Sequence, residues 1–444
     1  MSDVLKSKFT LQSAANFHEN HHKLYDRFFP YSTYHMTQYD YTTWQALTSI
    51  EGDEAIRQIA GQPSIAQAVL SRNEIARNPS MRPWLQYQAD LRKRSWPRFP
   101  KEQSWFWTDT LLQQASDWQS AIFKAKQFPT ACEIVDLCSG VGVDTTAFAL
   151  HQHRVTAIDL DPLACFLAAA NLSWHLGIPK NQSDMDFTVG NHQILCNDAR
   201  SYIPNCTNYV HVDPDRRPDL IRTTQVDLME PPLSELESLL TRSRGGMIKL
   251  APASQVTSPW NEKTCRLWIG DRRQCRQQLL VWGIDTFSVG THCAADVSQD
   301  HPQSIFAGDP QALSFATTEP EAYLFDFQPS IRAANLTGAL ANHLNVKSLG
   351  DITGYLTGST AIDHPLVDSY RVIESTGWDE KKVKRLLRGK DIGRLTVKKR
   401  GCRQLDPNRL QNSLSSENGS HHAVLLLAEI GRKQVAILAE SDNG

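Results

Sequence analysis

Residues 135–144 constrain the fold of this 444-residue chain more than any other segment. Their sequence is VDLCSGVGVD, in which an apolar run is followed by two glycines and then by a helix-forming stretch. Such a segment predicts a buried strand, a tight loop and the first turn of a helix. Gly140 and Gly142 let the backbone approach a ligand at positions where a Cβ atom would clash. The start of the helix behind them offers unpaired backbone N–H groups.

Short apolar runs alternate with helical patterns from about residue 131 to residue 300. This strand–helix–strand alternation predicts an α/β fold with a parallel sheet and helices on both faces. The helix that begins at Pro162 is Ala-rich, and proline is well suited to the first turn of a helix. The predicted strands are Glu133–Leu137, 155–159, Tyr209–Val212 and 247–250, and the predicted helices are 145–151 and Pro162–Leu176.

Acidic residues stand at the ends of the predicted strands. Asp159 ends the second strand, where a carboxylate can accept hydrogen bonds from both hydroxyls of a ribose. Asp198 follows a third candidate strand, where it suits an adenine amino group. The third glycine of a dinucleotide motif is replaced by Thr145, so the glycine loop alone is weak evidence. In the alternative interpretation the glycines form only a tight turn and the acids are solvated caps.

At these residues the chain resembles class I S-adenosylmethionine-dependent methyltransferases. The similarity extends to a bacterial subfamily with a THUMP-like C-terminal domain and covers roughly residues 90–440. It implies a Rossmann-like methyltransferase sheet, S-adenosyl-L-methionine as cofactor and methyl transfer as the reaction. The segments that carry it are 135–142 for the cofactor loop, 157–162 and 196–199 for the ribose and adenine ends, and LQQAS at 112–116, VDPDRR at 212–217, IKLAP at 248–252 and IGRLTVKKRG at 392–401.

The expected cofactor site lies at the carboxyl ends of the first three strands. Asp136 is expected near the methionine end of the cofactor, where a carboxylate helps to hold an ammonium group. Asp159 is expected to contact the ribose of the cofactor, and Asp198 is expected to contact its adenine. The full set of expected cofactor-binding residues is Asp136, Cys138, Gly140, Gly142, Asp159 and Asp198.

The loop after the strand Tyr209–Val212 is the expected catalytic face. Methyl transfer requires a nucleophile aligned within about 3–3.5 Å, and a base helps when that nucleophile starts protonated. Amino-methylating relatives carry Asp/Asn-Pro-Pro-aromatic here, whereas this chain keeps Asp213 and Pro214 but lacks the aromatic residue. This departure leaves the methylated atom open. We expect Asp213 and Pro214 to be catalytic, together with Lys249, which either neutralises substrate charge or snorkels.

Two groups of cations are expected to hold the substrate. Arg216 and Arg217 suit a phosphate clamp by forked hydrogen bonds, unless they form a local ion-pair network with Asp215. Residues 381–403 contain eleven Lys or Arg and one acid, a net charge of +10 in a chain of net charge -2. This concentration predicts contact with a phosphate backbone, and the THUMP-like resemblance implies RNA. The contacts expected in this segment are Lys398, Lys399 and Arg400.

Changes in the residue pattern along the chain predict three domains: an N-terminal helical region at 1–128, the methyltransferase domain at 129–318 and a small α+β domain at 319–444. Nine scattered cysteines without a C-x-x-C pair argue against a disulfide framework and a thiolate zinc site. His18, His21 and His22 lack partners at metal-ligand spacing. The N-terminus shows no signal peptide and no apolar run of about 18 residues occurs, so we expect a cytoplasmic protein without membrane or metal partners.

The sequence favours an RNA methyltransferase whose central domain performs the chemistry and whose basic C-terminal domain holds the substrate. The alternatives are a methyltransferase for a small molecule or protein, and a non-catalytic cofactor-binding RNA adaptor. The altered loop at Asp213 is the best argument for the adaptor. The oligomeric state stays open.

Overall fold

The computed structural model describes residues 41–63, 73–203, 206–216, 223–298, 304–350, 354–388, 390–402, 404–415, 419–431 and 433–441. Arg217 and the three histidines at 18, 21 and 22 lie outside these residues. The helices are α1 Tyr41–Leu47, α2 Ile50–Ala60, α3 Glu74–Arg77, α4 Arg82–Ser95, α5 Asp109–Gln114, α6 Trp118–Gln127, α7 Val143–Leu150, α8 Pro162–Leu176, α9 Leu239–Arg242, α10 Trp260–Lys263, α11 Pro329–Ala333, α12 Thr337–His343, α13 Glu380–Leu387 and α14 Pro407–Leu414.

The strands form two sheets. The strands of the first are β1 Glu133–Leu137, β2 Arg154–Asp159, β3 Lys180–Ser183, β4 Asp186–Val189, β5 His192–Cys196, β6 Tyr209–Val212, β7 Gly245–Leu250, β8 Cys265–Gly270, β9 Cys275–Trp282, β10 His292–Asp296 and β11 Ile305–Gly308. Those of the second are β12 Ala316–Thr317, β13 Tyr323–Phe327, β14 Lys347–Leu349, β15 Tyr355–Gly358, β16 Val367–Gly377, β17 Ile392–Arg400, β18 His421–Ile430 and β19 Lys433–Ser441.

The first sheet has the order β11-β10-β8-β9-β7-β6-β1-β2-β5-β4-β3. Its centre, β5-β2-β1-β6-β7, is parallel, and β9 inserts antiparallel between β7 and β8. From β1 the chain first builds outward through β2 and β5 and then returns to add β6 on the other side of β1. The order therefore reverses between β1 and β6, and ligands of open α/β sheets bind at the carboxyl edge of such a switch point.

Local sequence explains the helices that frame this edge. Asp161 caps α8 by accepting a hydrogen bond from the N–H of Leu163 at 2.8 Å, and Pro162 occupies the first turn. Gly177 ends α8 in the left-handed conformation, with φ +66°. The N-terminal helices and one face of the first sheet share an apolar core. This core includes Trp44, Leu85, Trp105, Phe148 and Phe166. Trp105 and its aromatic neighbours are thus core residues.

The second sheet has the order β12-β14-β15-β13-β16-β19-β18-β17. β18 and β19 form an antiparallel hairpin around Gly431, which has φ +61°. Phe325 and Phe327 of this sheet share a core cluster with Trp268 and Ala294 of the first. The expected α/β fold with a small α+β C-terminal region is confirmed, while the domain boundaries near residues 128 and 318 stay predictions.

Candidate functional site

The glycine loop between β1 and α7 lies at the carboxyl edge of the first sheet. Ser139 N–H donates to the Ile158 carbonyl at 3.1 Å, which ties the loop to β2. Gly140 has φ +55°, and a Cβ atom built on it would meet no protein atom within 4 Å. Its own N–H donates to Oδ2 of Asp159 at 2.7 Å. Open space over a glycine that is anchored to a carboxylate is a suitable place for a ligand to approach the backbone.

Gly142 differs from Gly140 in what faces it. It has φ +74°, and a Cβ atom there would lie 2.9 Å from Cβ of Ala168 in α8. The glycine thus permits close packing of the loop against α8. Its predicted contact with the cofactor stays a prediction.

Asp159 lies half-buried at the end of β2, beside the glycine loop. Its Oδ1 accepts a hydrogen bond from Asp161 N–H at 3.0 Å, and Oδ2 holds Gly140. Burial, with smaller effects from the charges of Asp161 and Asp136, raises the pKa of Asp159 to about 6, although the two N–H donors oppose the shift. Each carboxylate oxygen has a second lone pair, so the group can still accept hydrogen bonds from a ribose.

Asp136 lies beneath the loop, with no exposed surface. Its Oδ1 lies 2.7 Å from Nδ1 of His211, and its Oδ2 accepts a hydrogen bond from Thr145 at 2.5 Å. Both oxygens therefore serve protein partners. The predicted direct contact with a ligand ammonium group stays a prediction.

Cys138 and Asp198 complete the expected cofactor set. Burial, with the charges of Asp159 and Asp213, raises the pKa of the Cys138 thiol well above its ordinary value, so the thiol stays protonated. Asp198 accepts a hydrogen bond from the N–H of Arg200 at 2.9 Å and begins the short 3₁₀ helix Ala199–Ser201. The side chain of Asp198 is exposed by nearly half, which leaves it accessible to a ligand.

The candidate catalytic loop begins where β6 ends. Asp213 N–H donates to the Leu137 carbonyl at 3.1 Å, so the loop starts beside the end of β1. Oδ2 of Asp213 accepts a hydrogen bond from Nζ of Lys249 at 2.5 Å. Pro214 is buried, and Asp215 exchanges both backbone hydrogen bonds with Glu230, each at 2.9 Å. The predicted catalytic residues are thus brought together, next to the glycine loop.

A buried network of charges supports this pair. Nζ of Lys124 lies 2.7 Å from Oδ1 of Asp144 and 3.1 Å from Nε2 of His211. Burial alone would raise the pKa of Asp144, but the Lys124 ammonium, with His211 and Lys249, lowers it below its ordinary value. Ser116 donates to Oδ2 of Asp144 at 2.8 Å.

Sequence reasoning missed Lys124, although the chain carried a signal for it. Ala121, Lys124, Ala125 and Phe128 follow the i, i+3, i+4, i+7 spacing of an apolar helix face, and all four are buried. A lysine within such a face must find a buried partner, since an unpaired buried charge is very costly. The partners come from α7 and β6, which no local pattern indicates.

The cations expected to bind substrate differ in their surroundings. Arg216 is half-buried and its charge contributes to lowering the pKa of Lys249. Lys398 donates to Oδ2 of Asp326 at 3.1 Å and to the hydroxyl of Tyr370 at 2.6 Å. Arg400 also pairs with Asp326, with Nε to Oδ1 at 3.1 Å.

Other cations of the basic segment are half-buried or exposed. Lys399 donates to the Leu405 carbonyl at 2.5 Å, near the end of β17. Helix α13, capped by Asp379, buries Val383 and Leu386 and turns its charged side to solvent. The exposed cations of this face are Lys381, Lys382, Lys384, Arg385 and Arg388.

Comparison with known proteins places these observations in context. A family model described as THUMP domain-like matches residues 367–441. The crystal structure of a candidate methyltransferase from Porphyromonas gingivalis W83 aligns with a TM-score of 0.67 and 16% identity, over 90% of this chain and 97% of that chain. This chain has the same fold. The expected resemblance is therefore confirmed for the fold and for the C-terminal domain.

Two other solved structures align with shorter parts of the chain. A SAM-dependent methyltransferase from Geobacter sulfurreducens in complex with S-adenosyl-L-homocysteine has a TM-score of 0.23 and 16% identity, over 32% of this chain and 51% of that chain. An rRNA methylase from Streptococcus thermophilus has a TM-score of 0.25 and 15% identity, over 36% of this chain and 92% of that chain. Scores this low support no argument. The comparison with curated proteins found no match.

Within the described ranges, no helix is long and apolar enough to cross a membrane. The same ranges contain no group of three or more His, Cys, Asp or Glu that could hold a metal ion.

Proposed function

We propose that the chain is an S-adenosylmethionine-dependent methyltransferase that acts on RNA. One observation carries this proposal: the open face of Gly140, the carboxylate of Asp159 and the Lys249–Asp213 pair all lie at one edge of the sheet, around the switch point between β1 and β6. That edge is where open α/β sheets bind nucleotide-like ligands. The fold of the aligned methyltransferase supports the same conclusion.

The residues present fit S-adenosylmethionine. The open face of Gly140 provides room for the ligand against the backbone, while Asp159 provides an acceptor for the ribose hydroxyls and Asp198 one for the adenine amino group. When bound, this cofactor supplies a methyl group on a positively charged sulfur, which is already an activated leaving group. The protein's task is then to place the acceptor atom in line with that methyl group.

Asp213 is suited to orient the acceptor. Its Oδ2 is occupied by Lys249, while among the described residues no group donates a hydrogen bond to Oδ1. The side chain is 21% exposed, so Oδ1 can accept an N–H or O–H of a substrate. Because Lys249 already holds Oδ2, the role that the geometry supports for Asp213 is to accept a hydrogen bond from the substrate through Oδ1.

RNA is the proposed substrate because of the exposed cations on α13 and the THUMP domain-like match. Four outward Lys and Arg side chains on one short helix, with Arg388 directly after it, suit a phosphate backbone. We propose that Arg216 and the cations of β17, Lys398, Lys399 and Arg400, also contact the RNA. At Lys398 and Arg400, however, an incoming phosphate would have to compete with Asp326.

A specific observation favours a small-molecule or protein acceptor as the second candidate. The ion pairs of Lys398 and Arg400 neutralise part of the positive charge that pointed to RNA. In that case the C-terminal sheet would serve another purpose, while the cofactor site would be unchanged.

The decisive experiment is transfer of a labelled methyl group from S-adenosylmethionine to total RNA extracted from cells that lack the gene. Mass spectrometry of the digested nucleosides then identifies the modified base, and Asp213→Ala protein is the inactive control. We expect one methylated nucleoside that is missing from the starting RNA. Label found in a small-molecule or protein fraction would support the second candidate, and no transfer to any fraction would favour the non-catalytic adaptor.

A further inference from the structure

The chain buries two lysines next to the candidate catalytic loop. The side chain of Lys124 is 0% exposed and that of Lys249 is 5% exposed. Burying an ion pair costs desolvation energy that its Coulomb attraction often fails to recover, and apolar residues of similar volume are commonly at least as stabilising. Two such lysines at the edge of a candidate site therefore suggest a task beyond holding the fold.

Ser116 is the contact between the two lysines. Its Oγ accepts hydrogen bonds from Nζ of Lys124 at 3.3 Å and from Nζ of Lys249 at 3.2 Å, and it donates to Asp144. Ser116 is itself 5% exposed and lies just before α6. One hydroxyl thus joins the inner pair, Lys124 with Asp144, to the outer pair, Lys249 with Asp213.

We propose that Ser116 is a positioning residue that holds the Lys249 ammonium charged and directed at Asp213, so that Asp213 keeps one oxygen available for the methyl acceptor. This inference rests on the proposed methyltransferase function. Ser116 itself touches neither cofactor nor acceptor; it acts through Lys249. Lys124 and Asp144 fix the hydroxyl of Ser116. The hydroxyl donates its hydrogen bond to the Asp144 carboxylate, so that its lone pairs accept hydrogen bonds from the two ammonium groups.

The charges around Lys249 determine the direction of the effect. Burial lowers the pKa of Lys249, and so do the charges of Lys124 and Arg216, whereas the charges of Asp213 and Asp144 raise it. A hydroxyl that accepts a hydrogen bond from the ammonium favours the charged form. Loss of the Ser116 hydroxyl therefore lowers the pKa of Lys249 further, and Asp213 loses its cationic partner at a lower pH.

Ser116→Ala is the test, because it removes the hydroxyl and leaves a side chain of nearly the same volume. We expect the basic limb of the kcat profile to move down by about one pH unit, which is about a tenfold lower kcat on that limb, with the KM for S-adenosylmethionine unchanged. Ser116→Thr keeps a hydroxyl and is expected to restore the wild-type profile. Ser120→Ala is the matched control, since Ser120 is also buried but its hydroxyl donates to Asp117 at 2.6 Å, outside the network.

A second readout is independent of methyl transfer. Lysine-selective ¹³C labelling allows the Lys249 Cε signal, assigned with Lys249→Met, to be titrated in the full chain. A lower Lys249 pKa in Ser116→Ala than in wild type and Ser120→Ala supports the inference even if no substrate is methylated. An unchanged Lys249 titration overturns it, whatever the activity. Absence of methyl transfer by wild type, with the Lys249 shift present, would overturn only the proposed function.

Discussion

Lys249 and Asp213 meet across two neighbouring parallel strands, with Nζ of the lysine 2.5 Å from Oδ2 of the aspartate. The lysine lies within β7 and the aspartate directly follows β6, at the edge where the glycine loop follows β1. The contact fixes one carboxylate oxygen, while no group of the described residues donates a hydrogen bond to the other. A pair of this kind gives the Asp213 carboxylate a fixed direction.

Replacement of Asp213 by alanine should abolish turnover while leaving cofactor affinity intact. Groups that orient an acceptor or transfer its proton typically contribute about 10²–10⁴-fold to the rate. The substitution also leaves the buried Lys249 unpaired, so we expect a lower melting temperature. Methyl-transfer assays and calorimetry with S-adenosylhomocysteine measure the two effects, with Asp215→Ala as a control in the same loop. Near-normal turnover of Asp213→Ala would move the role to another residue.

Gly140→Val should block cofactor binding because its side chain would enter the space over the glycine loop. The matched control is Gly177→Val at the end of α8, since Gly177 also has a positive φ and no atom within 4 Å of a built Cβ. Both variants carry the same backbone strain, of roughly 1–2 kcal/mol. Calorimetry on the folded variants should show a loss of affinity only for Gly140→Val. Equal affinities for the two variants would contradict the assignment of the loop.

Cofactor affinity should fall as the pH drops below 6. The pKa of Asp159 is raised to about 6, so the carboxylate that accepts the ribose hydroxyls is increasingly protonated in mildly acidic buffer. Binding at pH 5 should be about tenfold weaker than at pH 7.5 if only the carboxylate form binds well. Calorimetric titration with S-adenosylhomocysteine measures this dependence. Asp159→Asn should bind weakly at all pH values and lose the slope; the same slope in that variant would show that another group is responsible.

The same raised pKa predicts how stability depends on pH. Since Asp159 binds its proton more tightly in the folded chain than in the unfolded chain, its contribution to the free energy of unfolding is fully present below its unfolded pKa and is lost as the pH rises through about 6. Thermal melts of wild type and Asp159→Asn without ligand should therefore differ more at pH 8 than at pH 4.

Charge reversal should separate the two parts of the basic segment. Replacing Lys381, Lys382 and Arg385 with Glu should weaken RNA binding and leave the melting temperature unchanged. The salt slope of log affinity should become shallower by about 0.7–0.9 for each phosphate that the variant no longer binds. Replacing Lys398, Lys399 and Arg400 with Glu should lower the melting temperature as well, because the new carboxylates at 398 and 400 would lie beside Asp326 and Asp368. Filter binding across a salt series, run beside thermal melts, distinguishes them. Wild-type RNA binding that is absent or insensitive to salt would favour the small-molecule acceptor.

The sequence by itself determined several local elements around the site, with ends within two residues of those observed. The apolar run, glycines and helix of residues 135–144 are a local pattern, so β1, the loop and α7 could be predicted. Asp159 and Asp213 could be placed at strand ends for the same reason, and parallel strands bring those ends to one edge.

Only the tertiary structure decided which charges meet. Ser116 and Lys249 are separated by 133 positions and Lys398 and Asp326 by 72, so no local periodicity relates them. The position of β9 between β7 and β8 could not be predicted from the order of the elements along the chain either. Buried ion pairs depend on the order of strands and on which helix face is covered, because a buried charge must find a partner wherever the fold places one.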